Sequence, residues 1–195
     1  MSPHQKLRDF VVDFTRLIER KPDEPAILAE GRQLVARLVV TDDWLPEAYA
    51  LPGPNQYQQY LLHADPLERF SVVSFVWGPG QKTPIHDHTV WGIVGILRGA
   101  ETGVSYVQKP GGGFDTSPAA RLERGEVVAV SPAIGDIHVI ANAYSDRPSI
   151  SIHVYGGNIG AIHRSVFDPV TGVPTPFISV YSNTTVPNLW DRSRD

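Results

Sequence analysis

The sequence contains no cysteine. This absence excludes disulfide-stapled scaffolds, cysteine-ligated zinc ribbons and cysteine nucleophiles. No apolar run approaches the ~20 residues that a membrane helix requires, and the opening stretch MSPHQKLRDF lacks the apolar core of a leader peptide. The formal net charge is −4, and lysines and arginines form no block, so neither a nucleic acid nor a membrane surface is expected as a partner. We therefore expect a soluble cytoplasmic protein.

Turn-forming residues, by contrast, are abundant. The 195 residues include 17 glycines and 17 prolines, which exceeds the usual combined share of ~12%. Many turns predict many short strands. A composition of 42% hydrophobic and 19% charged residues is typical of a globular protein, and the length suits one hydrophobic core. The expected fold class is mainly β, in a single domain over residues 1–195.

The hydrophobic periodicity divides the chain into three parts. In residues 1–50, apolar side chains three and four positions apart predict two helices, the second starting at Asp23-Glu24-Pro25. This arm is too small to hold a core alone, so we expect it to pack on the rest of the chain. Residues 56–167 change to period two and predict an antiparallel β-sandwich or β-barrel. Residues 168–195 are expected to wrap the surface. The predicted strands are 57–63, 69–77, 90–97, 104–109, 126–131, 137–142 and 149–155.

Three histidines form a candidate metal site. His86 and His88 are separated by one residue, so on a strand both side chains leave the same face. His138 follows a predicted strand and turn, and it completes a three-histidine site if the two strands are neighbours. Imidazole nitrogens bind divalent metals at about 2.0–2.1 Å. Each histidine alone is more often structural than a ligand, so the surrounding pattern decides.

That pattern resembles the two motifs of the cupin superfamily. The first motif is matched by Gly80, His86, His88 and Gly99, with Gly92 in place of the usual glutamate ligand. The second is matched by Gly125, Pro132, Gly135, His138 and Asn142, at slightly longer gaps. The resemblance implies a cupin-type, jelly-roll-like barrel. Loss of the glutamate implies a neutral three-histidine site with an additional open coordination position.

Within the cupins, the sequence is similar to the thiol dioxygenases, the family of cysteine dioxygenase and 3-mercaptopropionate dioxygenase. The phrases PIHDHT and LRGAE carry this resemblance. Ser151, His153 and Tyr155 alternate on one predicted strand and match the family's Ser-His-Tyr relay, whose tyrosine hydroxyl lies beside the iron. The resemblance therefore implies one Fe(II) per chain, with a small thiol and O2 as substrates and a sulfinate as product.

The resemblance also implies how a substrate carboxylate is held. Gln59 matches the carboxylate-binding position of the glutamine subtype, associated with 3-mercaptopropionate, although Gln58 is adjacent and only one of the two can face the interior. Arg164 is the second carboxylate-binding candidate, because a guanidinium suits two carboxylate oxygens. The mammalian enzymes crosslink a cysteine to the active-site tyrosine. Gly92 occupies that place here, so Tyr155 is an unmodified phenol.

Two other functions fit the same residues. Three histidines also describe a zinc or nickel site, which predicts a cupin hydrolase, isomerase or carbon dioxygenase. A non-catalytic cupin that binds a small ligand is the other alternative, although residues 1–50 contain no basic recognition helix. The sequence makes no prediction of oligomeric state.

Overall fold

The computed structural model describes residues 4–191. Two helices open the chain, α1 (Gln5–Glu19) and α2 (Glu24–Val39), followed by a 3₁₀ turn at Glu47–Tyr49. Twelve strands follow: β1 (Gln58–Ala64), β2 (Ser71–Trp77), β3 (Ile85–His86), β4 (Gly92–Arg98), β5 (Ala100–Gln108), β6 (Phe114–Thr116), β7 (Ala120–Glu123), β8 (Val127–Val130), β9 (His138–Asn142), β10 (Ser149–Tyr155), β11 (Arg164–Phe167) and β12 (Pro174–Phe177). The expected mainly β fold with an N-terminal helical arm is confirmed.

The strands form two antiparallel sheets. The first has the order β1-β2-β10-β4-β8, and the second has the order β12-β11-β3-β9-β5-β6, with β7 also paired to β5. Neighbouring strands in these sheets are mostly far apart in sequence, so both sheets are built largely by long-range pairing. In the part of the chain described, no helix is long and apolar enough to cross a membrane.

Both helices form where the sequence predicts them. Five apolar residues of α1 recur at helical spacing and are buried, namely Leu7, Phe10, Val11, Phe14 and Leu17. Asp23 caps the start of α2, because its carboxylate accepts a hydrogen bond from the Ala26 amide at 3.0 Å. Pro25 occupies the first turn, where its missing N–H costs nothing.

The helical arm covers the outer face of the first sheet. Every residue of β2 and of β10 is buried, so these strands have no solvent face. Because strand side chains alternate, one set packs under the helices and the other lines the barrel interior. In β10, Ile150, Ile152 and Val154 join the core under α1 and α2. Because the arm covers one face of β10, the opposite face lies inside the barrel, where it carries polar residues.

The sequence did not predict β3, β6, β7, β11 or β12. Each has two to four residues, too few for a period-two pattern to stand out. The prediction that one strand carries both His86 and His88 is wrong, because β3 ends at His86 and His88 lies in the following loop. The segment expected only to wrap the surface contributes β12 to the second sheet.

Two glycines allow the helices to lie close to the sheet. A Cβ atom added at Gly95 of β4 would lie 2.6 Å from Val35 Cγ1 and 3.1 Å from Val39 Cγ1 of α2. A Cβ atom at Gly31 of α2 would lie 2.5 Å from Ile93 Cδ1. The distances of 2.6 Å and 2.5 Å are shorter than real carbon–carbon contacts, so a methyl group at either position would force α2 or a neighbouring side chain to shift.

The Gly95→Ala substitution is expected to destabilise the protein by about 1–3 kcal/mol through overpacking against Val35. Urea unfolding of the metal-free protein measures this loss. The Gly95→Ala/Val35→Ala double variant should lose less stability than the two single variants combined, because the smaller side chain at position 35 makes room for the methyl group. Full additivity would show that the two positions do not press on one another.

Candidate metal centre

Three buried histidines converge inside the barrel. His86 on β3 pairs directly opposite His138 on β9, and His88 follows His86 by two residues. One ring nitrogen from each lies within 4.8 Å of the others. The side chains are 8%, 1% and 9% exposed for His86, His88 and His138. The structure therefore brings together the three residues that the sequence singled out as a metal site.

Backbone carbonyl groups orient two of these rings. His86 Nδ1 lies 3.1 Å from the Pro84 carbonyl oxygen, and His88 Nδ1 lies 3.1 Å from the Asp136 carbonyl oxygen. A carbonyl only accepts hydrogen bonds, so each Nδ1 carries the proton and each Nε2 presents a lone pair. Hydrogen bonds of this kind fix the tautomer and direction of metal-ligating histidines.

Asp136 shapes the loop that carries His88, and the sequence analysis missed it. Its carboxylate accepts hydrogen bonds from the backbone amides of His88 and Thr89, each at 3.0 Å. Thr89 adopts a φ of 60°, which a non-glycine residue rarely adopts without such support. Asp136 could have been found from its position two residues before His138, because this spacing keeps it close to the same site.

Burial keeps the three imidazoles neutral. It lowers the pKa of His86 to about 4 and is the largest cause of the low pKa values of His88 and His138. Their mutual repulsion lowers the pKa of His88 and His138 further. The neutral form is the one that binds metal. A buried trio of neutral nitrogen donors fits a divalent transition-metal ion.

Gly92 explains why a fourth protein ligand is missing. It lies directly opposite Tyr155 in the pairing of β4 with β10. A Cβ atom at position 92 would lie 2.9 Å from the Tyr155 ring. The tyrosine ring therefore occupies the space that a side chain at this position would need.

The inward face of β10 carries a polar chain. Ser151 Oγ lies 2.8 Å from His153 Nε2, and His153 Nδ1 lies 2.7 Å from Tyr155 Oη. We call these three residues the relay. Burial lowers the pKa of His153 to about 3 and raises the pKa of Tyr155 well above its ordinary value. The relay is therefore uncharged at neutral pH, with the phenol protonated.

Aromatic side chains hold the relay in place. The Phe75 ring packs on His153 with centroids 4.2 Å apart. Trp77 Nε1 donates a hydrogen bond to Ser151 Oγ at 3.2 Å. The Tyr155 ring lies against His88, with centroids 5.4 Å apart, so the relay ends beside the three histidines.

A cavity of about 190 Å³ joins the histidines to the relay. At ~30 Å³ per water molecule, it has room for a ligand of about six or seven non-hydrogen atoms. Its lining residues are Tyr57, Gln59, Phe75, Pro84, His86, His88, His138, Ile140, His153, Tyr155, Arg164, Val166 and Phe177. These residues include one permanent cation and no carboxylate.

Both carboxylate-binding candidates line this cavity. Gln59 on β1 is 5% exposed, and its Nε2 donates to Ser179 Oγ at 3.0 Å. Gln58 does not line it, and its amide donates instead to the Gln56 carbonyl at 3.0 Å. Arg164 on β11 is 5% exposed, and its guanidinium carbon lies 4.7 Å from the centroid of the Phe177 ring. Its Nε has no hydrogen-bond partner.

The segment after residue 167 contributes to the site, which the sequence analysis did not predict. Phe177 on β12 lines the cavity, and Ser179 binds Gln59. Ser182 and Asn183 hydrogen-bond to the β1 backbone around Gln59. No local sequence pattern predicts these contacts, because they depend on where the segment after residue 167 packs on the rest of the fold.

Replacing His86 with alanine is expected to weaken Fe(II) or Co(II) binding by more than about 100-fold, since loss of even an outer partner costs 10–100-fold. Anaerobic equilibrium dialysis with metal analysis measures the affinity. His163→Ala, which alters an exposed histidine, is the matched control and should bind as the unchanged protein does. An unchanged affinity in the His86 variant would contradict this site.

The chain is similar to known proteins over most of its length. A family model described as Cysteine dioxygenase type I matches residues 31–168. Similar solved structures include a double-stranded β-helix protein from Klebsiella pneumoniae subsp. pneumoniae MGH 78578, with TM-score 0.43 and 21% identity over 57% of this chain and 87% of that one. A cupin-like protein from Thermotoga maritima MSB8 has TM-score 0.42 and 21% identity, over 58% and 80%. A cupin superfamily protein from Desulfitobacterium hafniense DCB-2 has TM-score 0.41 and 15% identity, over 64% and 88%. The family match covers most of the chain and contains the three histidines, the relay, Gln59 and Arg164, so the chain belongs to the cysteine dioxygenase type I family.

Proposed function

We propose that the protein is an Fe(II)-dependent thiol dioxygenase that converts a small thiol carboxylate, 3-mercaptopropionate or L-cysteine, into its sulfinate. The observation that carries the proposal is the small cavity reached by both the three neutral histidines and the Arg164 guanidinium. Membership in the cysteine dioxygenase type I family favours this chemistry over a hydrolase or isomerase.

His86, His88 and His138 would hold one metal ion through their Nε2 atoms. Imidazole ligands suit several transition metals, so iron is favoured here by the family rather than by the donor set. When bound, Fe(II) supplies the redox chemistry by which O2 adds both oxygen atoms to a thiolate sulfur. With three neutral protein ligands, the negative charge that balances the dication comes from the substrate.

The polar residues of the cavity favour an anionic substrate without an amine. Arg164 is a buried cation with an unpartnered Nε, so a carboxylate in the cavity offers it two hydrogen-bond acceptors. Gln59 is a second donor that lines the cavity, while its amide also contacts Ser179. No carboxylate lines the cavity to pair with the ammonium group of cysteine. These features favour 3-mercaptopropionate.

Tyr155 is the residue placed to hold a proton at the reacting atoms. Its pKa is raised by burial, so the phenol keeps its hydrogen at neutral pH. His153 fixes the position of its hydroxyl at 2.7 Å. The phenol can then hydrogen-bond to an oxygen or sulfur atom of the reactants. A cytoplasmic location, where small thiols are kept reduced, completes the proposal.

Oxygen uptake after anaerobic reconstitution with Fe(II) tests the activity. We expect equimolar consumption of O2 and 3-mercaptopropionate, slower turnover of cysteine, and a sulfinate that carries both atoms of labelled O2 in mass spectrometry. Preference for cysteine would contradict the assignment of the substrate while leaving a thiol dioxygenase.

Protein reconstituted with Zn(II) is the matched control and should not consume O2. Bound iron without uptake for any of 3-mercaptopropionate, cysteine and cysteamine would contradict the proposed reaction. It would leave a three-histidine metal site of different chemistry.

The Arg164→Gln substitution tests how the carboxylate is held. A hydrogen bond to a charged group contributes about 1.5–3 kcal/mol, so KM for 3-mercaptopropionate should rise by roughly 10–150-fold. Turnover of cysteamine, which has an ammonium group and no carboxylate, should not fall. Arg16→Gln on the exposed surface of α1 is the control, because its side chain is 73% exposed. A uniform loss with both thiols would contradict a role in carboxylate binding.

A further inference from the structure

Glu101 on β5 is a buried acid that neither the metal site nor the cavity uses. It is 1% exposed, and one of its carboxyl oxygens, Oε1, has no hydrogen-bond partner. Burial raises its pKa to about 7, although hydrogen bonding with Ser151 and Trp77 opposes this shift. An isolated carboxylate is costly inside a protein, so its location beside the relay calls for a role.

The strand pairing places Glu101 at the far end of the relay. Its cross-strand neighbour on β9 is Asn142, which accepts a hydrogen bond from Ser149 at 2.8 Å. Ser149 precedes Ser151 by two residues on the same face of β10. The Glu101 carboxyl group hydrogen-bonds with Ser151, and Ser151 Oγ lies 2.8 Å from His153 Nε2, so the polar chain extends as Glu101, Ser151, His153 and Tyr155.

Among the groups that surround Glu101, Ser151 is the one that connects it to the cavity through further hydrogen bonds. The Asn142 amide is already bound to the carbonyl groups of Trp77, Gly78 and Arg147. On β7, Leu122 pairs opposite Glu101, and the flanking Arg121 and Glu123 bind each other at 2.6 Å on the surface.

From the remaining neighbouring strands, β2 contributes the Trp77 indole, and β10 contributes Ser151 and, beyond it, His153 and Tyr155. Electrostatic interaction with Glu101 also raises the pKa of Tyr155.

We propose that Glu101 sets the direction of the hydrogen bonds that link it, through Ser151 and His153, to Tyr155. Tyr155 then presents its O–H to the cavity only while Glu101 is protonated. Ser151 has one hydroxyl hydrogen and neutral His153 has one N–H, so each donates in one direction at a time. The distances of 2.8 Å and 2.7 Å suit either direction.

With Glu101 protonated, its O–H donates to Ser151, Ser151 donates to His153 Nε2, and His153 Nδ1–H donates to Tyr155 Oη. The phenol hydrogen is then free to point into the cavity. With Glu101 ionised, the carboxylate accepts from Ser151, His153 Nε2–H donates to Ser151, and Tyr155 donates to His153 Nδ1. The cavity then meets only a phenol lone pair. Glu101 is thus a positioning residue that acts through the relay.

Nitrogen-15 NMR of the metal-free protein tests this switch, because it reports which ring nitrogen of His153 carries the proton. We expect the Nδ1–H tautomer below pH 7 and the Nε2–H tautomer above it. A His153→Asn spectrum identifies the signal. In Glu101→Gln the tautomer should not change with pH, whereas Glu123→Gln, at an exposed glutamate of the neighbouring strand, should switch as the unchanged protein does.

Infrared spectroscopy of the same samples follows the acid itself. The carbonyl band of a protonated carboxylic acid should disappear as the pH rises through 7 and should be absent from Glu101→Gln. In Ser151→Ala this band should still titrate while the His153 tautomer no longer follows it. One tautomer of His153 at all pH values in the unchanged protein would overturn the proposal, as would a switch that persists in Glu101→Gln.

The effect on turnover rests on the proposed function, so it is measured separately. In the iron-loaded enzyme, kcat should fall as the pH rises through 7, because the phenol ceases to donate, and Glu101→Gln should remove this decline. A merely structural role for Glu101 would lower activity without removing the pH dependence. Because the NMR and infrared measurements need no iron or thiol, they test the switch even if the enzyme oxidises no thiol.

Discussion

The site depends on the burial of both faces of β10. Strand alternation sends Ile150, Ile152 and Val154 into the core beneath the helices, and it leaves Ser151, His153 and Tyr155 to face the barrel interior. A polar strand face exposed to water would exchange its hydrogen bonds with solvent and impose no geometry. Here the barrel closes over that face, and each relay group bonds to the next. The N-terminal helices therefore contribute to the chemistry without touching the cavity, because they complete the burial of the strand that carries it.

The metal centre follows a similar logic on the opposite sheet. β3 has two residues, and its pairing with β9 and β11 places His86 opposite both His138 and Val166. The loop beyond it would not hold His88 in register, and the Asp136 carboxylate supplies the missing order by binding two successive amides. Because carbonyl groups occupy the Nδ1 atoms of His86 and His88, both rings are prepared for a metal before one binds. A long strand carrying both histidines, which the sequence suggested, is unnecessary.

The sequence predicted the parts of this molecule that rest on local pattern and on motif. The helices, seven of the described strands, the two histidine motifs and the alternation of Ser151, His153 and Tyr155 each fall within a short window of sequence. Glu101 and Phe177 do not, because their roles arise from contacts between segments that are distant in the sequence. A glutamate between Ala100 and Thr102 resembles an exposed strand residue until β5 is seen to lie against β9 and β7. Likewise, alternation could show that only one of Gln58 and Gln59 faces inward, but the pairing of β1 decides which.

Charge links the three parts of the site. Three neutral imidazoles leave a bound dication uncompensated by protein, and Arg164 adds a further buried positive charge. The proposed substrate, with a thiolate and a carboxylate, would neutralise both charges, whereas an ammonium group would add a charge that no residue lining the cavity balances. Burial raises the pKa of Tyr155 by more than the positive charge of Arg164 lowers it, so the phenol keeps its proton. Glu101 lies beyond His153 and Ser151, away from the metal-binding histidines. Its ionisation therefore alters the direction of the hydrogen bonds without placing a carboxylate among the metal ligands.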